Sequence, residues 1–242
     1  MANYQDKSVE FYDDYSARQE DMGINHRHLS IQRWMEYFGL ESHHSVLELG
    51  CGIGTITQLL LQYLGSDGRV VAADISPKSI ALAKERLKKY HNVTFYAEDA
   101  LQLDLEPGFD FILLPDVLEH IPMDMHQALF HKLGDWLAPA GKLVIHIPHP
   151  HYLEWVHEYR PEELQLIDQP LPTHEVLAKA SQAGLSLEFL QGYTIYREPH
   201  DYQILMFHKR RKVQYQQAPI PPGDPLLRRL KRKIKFWLRG SR

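Results

Sequence analysis

The sequence predicts an α/β protein built on a doubly wound, mainly parallel sheet. Three observations predict it: five short apolar runs of strand character between residues 45 and 148, helical stretches between successive runs, and alternate glycines after the first run. Parallel strands covered on both faces read as near-continuous apolar segments, which is how these runs read.

The elements follow in order. "KSVEFYDDYSARQE" (7–20) and "HRHLSIQRWMEYFGL" (26–40) carry helix-spaced apolar residues ahead of the first strand. The strand runs are "SVLELG" (45–50), "RVVAAD" (69–74), "VTFYAED" (93–99), "FDFILLP" (109–115) and "KLVIHIP" (142–148). Helices are expected over 55–65, 76–90 and 123–138; Ser76 followed by Pro77 is a helix start, with a side-chain cap and a first-turn proline. The stretch 174–209 reads as a helix and then two strands joined by "REPHD", too short a link for a parallel crossover, so that last pair should be antiparallel.

Length and composition narrow the field. A chain of 242 residues suits one α/β domain with elaborations. No apolar run approaches the roughly 18 to 20 residues of a transmembrane helix, and the polar, acidic start is unlike a targeting peptide. Cys51 is the single cysteine, which excludes an internal disulfide and fits a reducing, cytoplasmic setting. The net charge of −4 hides an asymmetry: residues 209–242 hold 12 of the 27 Lys and Arg against one acid, Asp224. An acidic body and a basic tail should meet different partners.

"VLELGCGIGTIT" (46–57) raises the question of a ligand. Gly50, Gly52 and Gly54 let the main chain turn tightly and present N–H groups and a helix N-terminus to a nucleotide. A dinucleotide turn would place its third glycine at 55, where Thr55 stands. Glu48 inside the strand would repel a pyrophosphate but suits a cationic ligand such as a sulfonium bearing an ammonium group. Asp74, closing the second strand, can accept from two ribose hydroxyls, and Asp99, closing the third, can reach an adenine amino group. Cys51 is most simply a small residue filling the turn.

Over roughly residues 40–208 this pattern resembles the class I S-adenosylmethionine-dependent methyltransferases: an acid followed by G-x-G-x-G, a ribose acid and an adenine-side acid, in that order. The resemblance implies a Rossmann-like seven-stranded sheet of order 3-2-1-4-5-7-6 with strand 7 antiparallel. It also implies S-adenosylmethionine as cofactor, leaving as S-adenosylhomocysteine. The cofactor contacts it implies are Glu48, Gly50, Cys51, Gly52 and Gly54 at the turn, Asp74 and Ile75, Asp99 and Ala100, and Pro115 with Asp116. From the N-terminal segment, Tyr12 or Tyr15 would touch the methionine end, with Arg27 and His28 on the acceptor side. The expected organisation is a helical cap over 1–40 and the methyltransferase domain over 41–208 with a lid at 149–172, followed, by composition and residue spacing, by a linker over 209–225 and a basic amphipathic helix over 226–240.

The fourth and fifth strands end in "LPDVLEHIP" and "HIPHPHYLEWVHEY", and the implied strand order makes them neighbours whose carboxyl ends face one crevice. Two chemistries are open there. His120, His149 or His151 could serve as general base; alternatively Asp116, Glu119, His120 and His149 could hold a divalent metal. The D-x-x-E-H spacing is similar to the E-x-x-E-H of metal-dependent O-methyltransferases, with the shorter Asp116 in place of the first glutamate. His146, inside its strand, is expected in the core; His43, His44, His91, His126 and His131 are expected at the surface. Tyr152 and Trp155 in the lid suit stacking on a sugar or aromatic ring.

In "PLLRRLKRKIKFWLRG" the residues Leu226, Leu227, Leu230, Ile234, Trp237 and Leu238 fall within one arc of about 120° at helical spacing, with Lys and Arg on the rest. A cationic face against a Leu/Ile/Trp stripe is the pattern of a helix in an anionic membrane interface. Docking on a protein is the second option. RNA would not require such a stripe, so nucleic acid is disfavoured. The resulting expectation is an O-methyltransferase of a sugar, glycan or lipid-linked intermediate, cytoplasmic and peripheral at the inner face of the membrane; the alternatives are a small-molecule O- or N-methyltransferase, an RNA methyltransferase, and an inactive cofactor-binding partner protein.

Overall fold

A computed structural model describes residues 4–210 of the chain. The linker expected over 209–225 and the basic helix expected over 226–240 therefore lie outside the described residues, save for Lys209 and Arg210.

Two helices precede the sheet, α1 (Tyr4–Met22) and α2 (His26–Tyr37). Asn25 starts α2: its side-chain oxygen accepts from Arg27 N–H at 3.1 Å, and His28 Nδ1 accepts from the Asn25 N–H in return. The alternating part of the chain runs β1 (Ser45–Leu49), α3 (Thr55–Tyr63), β2 (Arg69–Asp74), α4 (Pro77–Arg86), β3 (Val93–Ala97), β4 (Phe109–Pro115), α5 (His126–Trp136) and β5 (Leu137–Pro148). The end of the fold comprises α6 (Pro150–Tyr159), α7 (Thr173–Gln182), β6 (Leu185–Tyr193) and β7 (Tyr202–Lys209). The strand order is 3-2-1-4-5-7-6; β1 to β5 pair in parallel, and β7 is antiparallel to both β5 and β6. This is the expected architecture, with β5 five residues longer at its start than the apolar run suggests.

Period-two alternation along the buried strands supplies two cores, one on each face. Leu47, Leu49, Ile112, Leu114, Leu143 and Ile145 pack with Phe130 and Leu133 of α5 and Val176 of α7. Val46, Phe111, Leu113 and Val144 pack with Ile31 and Met35 of α2, Leu60 of α3 and Ile80 of α4. Glu48 falls between Leu47 and Leu49 in register and faces α3, fully buried. The carboxyl ends of β1, β2, β3 and β4 thus open together, under α1 and α2.

His126 is not at the surface. It is 1% exposed, and its Nε2 lies 3.1 Å from the Leu118 carbonyl and 2.8 Å from that of Ile121, tying the start of α5 to the preceding turn. Sequence context misses this because the partners are backbone carbonyls, which carry no sequence signal.

Candidate active site

The strand ends and the N-terminal helices enclose a cavity of about 520 Å³, within the range of small-ligand sites. Its floor is the glycine turn. Gly50, Gly52 and Gly54 have φ of +75°, +52° and +77°. A side chain on Gly50 would collide with Val117, one on Gly52 would stand 2.7 Å from Gln19, and one on Gly54 2.9 Å from Leu87. Gly50 is therefore required twice, by conformation and by space, whereas at Gly52 and Gly54 the positive φ is the stronger demand, since the ends of Gln19 and Leu87 can move. The Gly50 and Cys51 N–H groups donate to the Ala73 carbonyl, which locks the turn against the end of β2.

Asp74 completes the lock. Its Oδ2 accepts from the Gly52 N–H at 2.7 Å and its Oδ1 from the Ser76 N–H at 2.9 Å. Burial pushes its carboxyl above the usual carboxylate range, against those two hydrogen bonds. Each oxygen keeps a second lone pair for a ribose hydroxyl. Ser76 is tied to α1 as well, donating to Asp13 Oδ1 at 2.5 Å.

Glu48 is the deepest acid. It is 0% exposed, Thr57 Oγ1 donates to its Oε2 at 2.6 Å, and its Oε1 has no hydrogen-bond partner. Burial lifts its pKa to about 8, outweighing the Thr57 hydrogen bond. A carboxyl oxygen orphaned in a cavity wall asks for a donor or a cation from the ligand. Gln19 Oε1, on α1 opposite the turn, is a second orphaned acceptor.

Most of the expected cofactor contacts line this cavity: Tyr15, Glu48, Gly50, Cys51, Asp74, Ile75, Asp99, Ala100, Pro115 and Asp116. Gly52 and Gly54 do not line it; they shape the turn beneath. Tyr12, Arg27 and His28 line it as well. Cys51 is buried, and burial raises its thiol well above the usual range, so it is inert.

The three candidate bases part company. His120 lines the cavity from a short 3-10 turn, Leu118–His120. Its Nδ1 is 2.5 Å from the Ile167 carbonyl and 3.2 Å from Asp168 Oδ1. A carbonyl can only accept, so the proton sits on Nδ1 and Nε2 is the basic nitrogen. His149 and His151 do not line the cavity. His149 caps α6 beside His151 and His200, with ring centroids 5.3 and 6.5 Å away, and burial together with those two rings lowers its pKa. His151 is 82% exposed and pairs with Glu154. The turn after β5 carries both outward, which strand order alone does not reveal.

The four residues of the metal option do not form one ligand set. Asp116 is turned to Arg27 and His146, and His149 stands outside the cavity. Among the described residues the His/Asp/Glu atoms that do converge belong to Glu41, His43 and His44, in a turn before β1.

His146 is buried as expected but is more than filler. It donates from Nδ1 to Asp116 Oδ1 at 2.7 Å, while Nε2 accepts from Tyr193 Oη at 2.8 Å; Ser30 Oγ donates to that hydroxyl at 3.0 Å. Desolvation and Arg27 hold His146 well below the usual imidazole value, so it is neutral. The chain of bonds fixes Asp116, a non-glycine residue at φ +55°, and through it Arg27. Asp168 is also a missed site residue, because its link to His120 spans 48 positions. In the lid, Tyr152 lines the cavity while Trp155 stacks against it from outside at 6.2 Å.

Residues 46–141 match the family model described as a methyltransferase domain. The 2-phytyl-1,4-naphtoquinone methyltransferase of Thermosynechococcus vestitus is 28% identical over 132 residues, 54% of this chain and 58% of that one. The malonyl-[acyl-carrier protein] O-methyltransferase of Bacillus anthracis is 33% identical over 126 residues, 51% and 44% of the two chains. The chain thus spans about half the length of these curated relatives. Among solved structures, the magnesium protoporphyrin IX methyltransferase of Synechocystis with bound S-adenosylhomocysteine superposes with a TM-score of 0.67 at 19% identity, covering 86% of this chain and all of that one. The N-methyltransferase NodS of Bradyrhizobium japonicum, also with S-adenosylhomocysteine, gives 0.60 at 21% identity, covering 76% and 85%.

Proposed function

The chain carries the methyltransferase domain of the class I S-adenosylmethionine-dependent enzymes, and from that premise we propose that it methylates a hydroxyl of a small or lipid-linked acceptor, a sugar or glycan intermediate. The residues present fit the cofactor: a left-handed glycine turn with no room for a side chain at Gly50, a buried acid with an unpartnered oxygen, and Asp74 beside the turn. When bound, S-adenosylmethionine supplies an electrophilic methyl group on a cationic sulfur.

The observation that carries the choice of oxygen is the state of His120. With its proton held at Nδ1 by Ile167 and Asp168, Nε2 is the nitrogen that can take a proton, and the residue lines the cavity. An amine with its lone pair available has little need of one, whereas a hydroxyl gains about 10²- to 10⁴-fold. With the cofactor held by the glycine turn and Asp74, it would supply the methyl group and keep the released electron pair as a neutral thioether, and His120 Nε2 would take the proton of the acceptor hydroxyl. Tyr12 and Tyr152 wall the acceptor, and α1 and the lid exclude water, so orientation supplies much of the remainder.

The test is incubation of purified full-length protein with S-adenosylmethionine and a panel of sugars, lipid-linked sugars, phenols and amines. The expected outcome is S-adenosylhomocysteine release with the methyl found on oxygen by NMR; transfer confined to amines defeats the oxygen assignment. The same proposal puts the protein in the cytoplasm, at an anionic membrane surface, on the strength of the 226–240 sequence. Flotation with anionic liposomes that is unaffected by deleting 223–242 refutes that part.

A further inference from the structure

The charges at the acceptor end of the cavity do not balance. Besides Glu48, Asp74, Glu98 and Asp99 at the ends of the first three strands, Asp116, Glu119, Glu163 and Asp168 line it. Three have partners: Asp116 is held by Arg27 and His146, Glu163 receives Arg197 at 3.1 Å, and Asp168 accepts from the Gln165 N–H at 2.6 Å while facing His120. Glu119 is the exception. It is 1% exposed, its Oε1 lies 3.8 Å from His120 Nε2, and its Oε2 has no hydrogen-bond partner.

Among the described residues, the lining contains one Lys or Arg side chain, Arg27, and Asp116 already engages it. The walls here are Tyr12, Tyr152, Tyr196 and Tyr202. Tyrosine faces attract cations through the ring quadrupole, and a buried carboxyl with a spare oxygen completes the seat for an ammonium group. A carboxylate or phosphate would instead meet four acids and no uncommitted cation.

We propose that the acceptor bears a protonated amine near the hydroxyl that is methylated, as in an amino sugar or amino alcohol, and that Glu119 receives this amine. The assignment rests on the methyl-transfer function proposed above and names its acceptor class. Burial lifts the Glu119 pKa to about 7, so in the cofactor-free protein the group is partly protonated near neutrality. An arriving ammonium favours the ionised form, and binding therefore releases a proton.

The test compares matched acceptors with full-length protein and S-adenosylmethionine: a hexosamine, the parent hexose and the corresponding uronic acid, together with an amino alcohol, a diol and a hydroxy acid of equal length. Expected kcat/KM falls in the order amine, neutral, acid, with the amine ahead of the neutral member by roughly 10-fold or more. Glu119→Gln should shrink the ratio of amine to neutral kcat/KM to about 3-fold or less, whatever the absolute rates, and Glu119→Asp should restore part of it. Unchanged S-adenosylhomocysteine affinity confirms that the variants are folded. Acids transferred as well as amines, or an equal loss for every member in Glu119→Gln, overturn the assignment. Tight S-adenosylhomocysteine binding with no methyl transfer to any acceptor defeats the methyl-transfer function itself, and the amine assignment with it.

Discussion

The two halves of the cavity are made in different ways. The cofactor half is backbone: three left-handed glycines, N–H groups donated to Ala73, and acids placed by the ends of β1, β2 and β3. The half proposed for the acceptor is side chain: tyrosines from α1, α6 and β7, a histidine oriented by a residue 48 positions away, and a relay of hydrogen bonds from Ser30 to Arg27. A backbone site tolerates almost no substitution but asks little of its neighbours. A side-chain site can be rebuilt residue by residue, which lets one fold serve many acceptors.

The largest effect should come from breaking the backbone half. Gly50→Ala places a methyl group against Val117 at φ +75°, so binding of S-adenosylhomocysteine by calorimetry should fall more than about 100-fold, with strain of about 1–3 kcal/mol besides. Gly23→Ala is the control. Gly23 has φ +57° with nothing within 4 Å of the added atom, so it should lose about 1 kcal/mol of stability and keep its affinity. Equal loss of binding in both variants would show that backbone strain, not the closeness of the turn, explains the glycines.

In the side-chain half, His120→Ala should lower kcat by about 10²- to 10⁴-fold while the affinity for S-adenosylhomocysteine stays within about 2-fold. Asp168→Asn should lower kcat by about 10-fold, again without touching cofactor affinity. If both variants instead weaken cofactor binding, the two halves are not separate.

Glu48 sharpens the boundary through pH. Its folded value of about 8 stands above the ordinary 4.5 because burial disfavours the charge. Such a group contributes stability below pH 4.5 that is lost as pH rises through 8, so the cofactor-free protein should melt at falling temperature between those limits. Glu48→Gln should flatten that slope and weaken S-adenosylmethionine binding by about 10-fold. The cationic ligand should also expel a proton at pH 7, read as a buffer-dependent binding enthalpy that the variant lacks. A slope unchanged by the substitution would place the titrating group elsewhere.

How much of this was legible in the sequence follows the same division. Glycine spacing and strand-terminal acids report backbone geometry directly, so the turn, Asp74 and Glu48 could be read in line, and strand–helix alternation with the short 197–201 link carried the sheet. The acceptor half could not be read that way. Asp168 reaches His120 because the segment after α6 runs back over the end of β4, where Gln169 donates to the Glu119 and Ile121 carbonyls at 3.2 and 2.8 Å. His146 looked like core filling because its partners, Asp116 and Tyr193, come from the turn after β4 and from the end of β6.

The smallest effects should come from His149 and His151, which a reading of strand ends alone would place at the centre. The proline at the start of α6 turns the chain away after β5, leaving His151 82% exposed and His149 packed against His200 outside the cavity. Neither ring lines the acceptor chamber, and exposed imidazoles contribute little to orientation, so His149→Ala and His151→Ala should each keep kcat/KM within about 2-fold. A loss above about 10-fold for His151→Ala, with S-adenosylhomocysteine affinity intact, would carry the acceptor site beyond the cavity mouth onto the outer face of α6, where the Trp155 and Tyr159 rings lie tilted with centroids 5.8 Å apart. That outcome would mean an acceptor long enough to leave the chamber, since only a bound ligand could connect so exposed a ring to the transfer step.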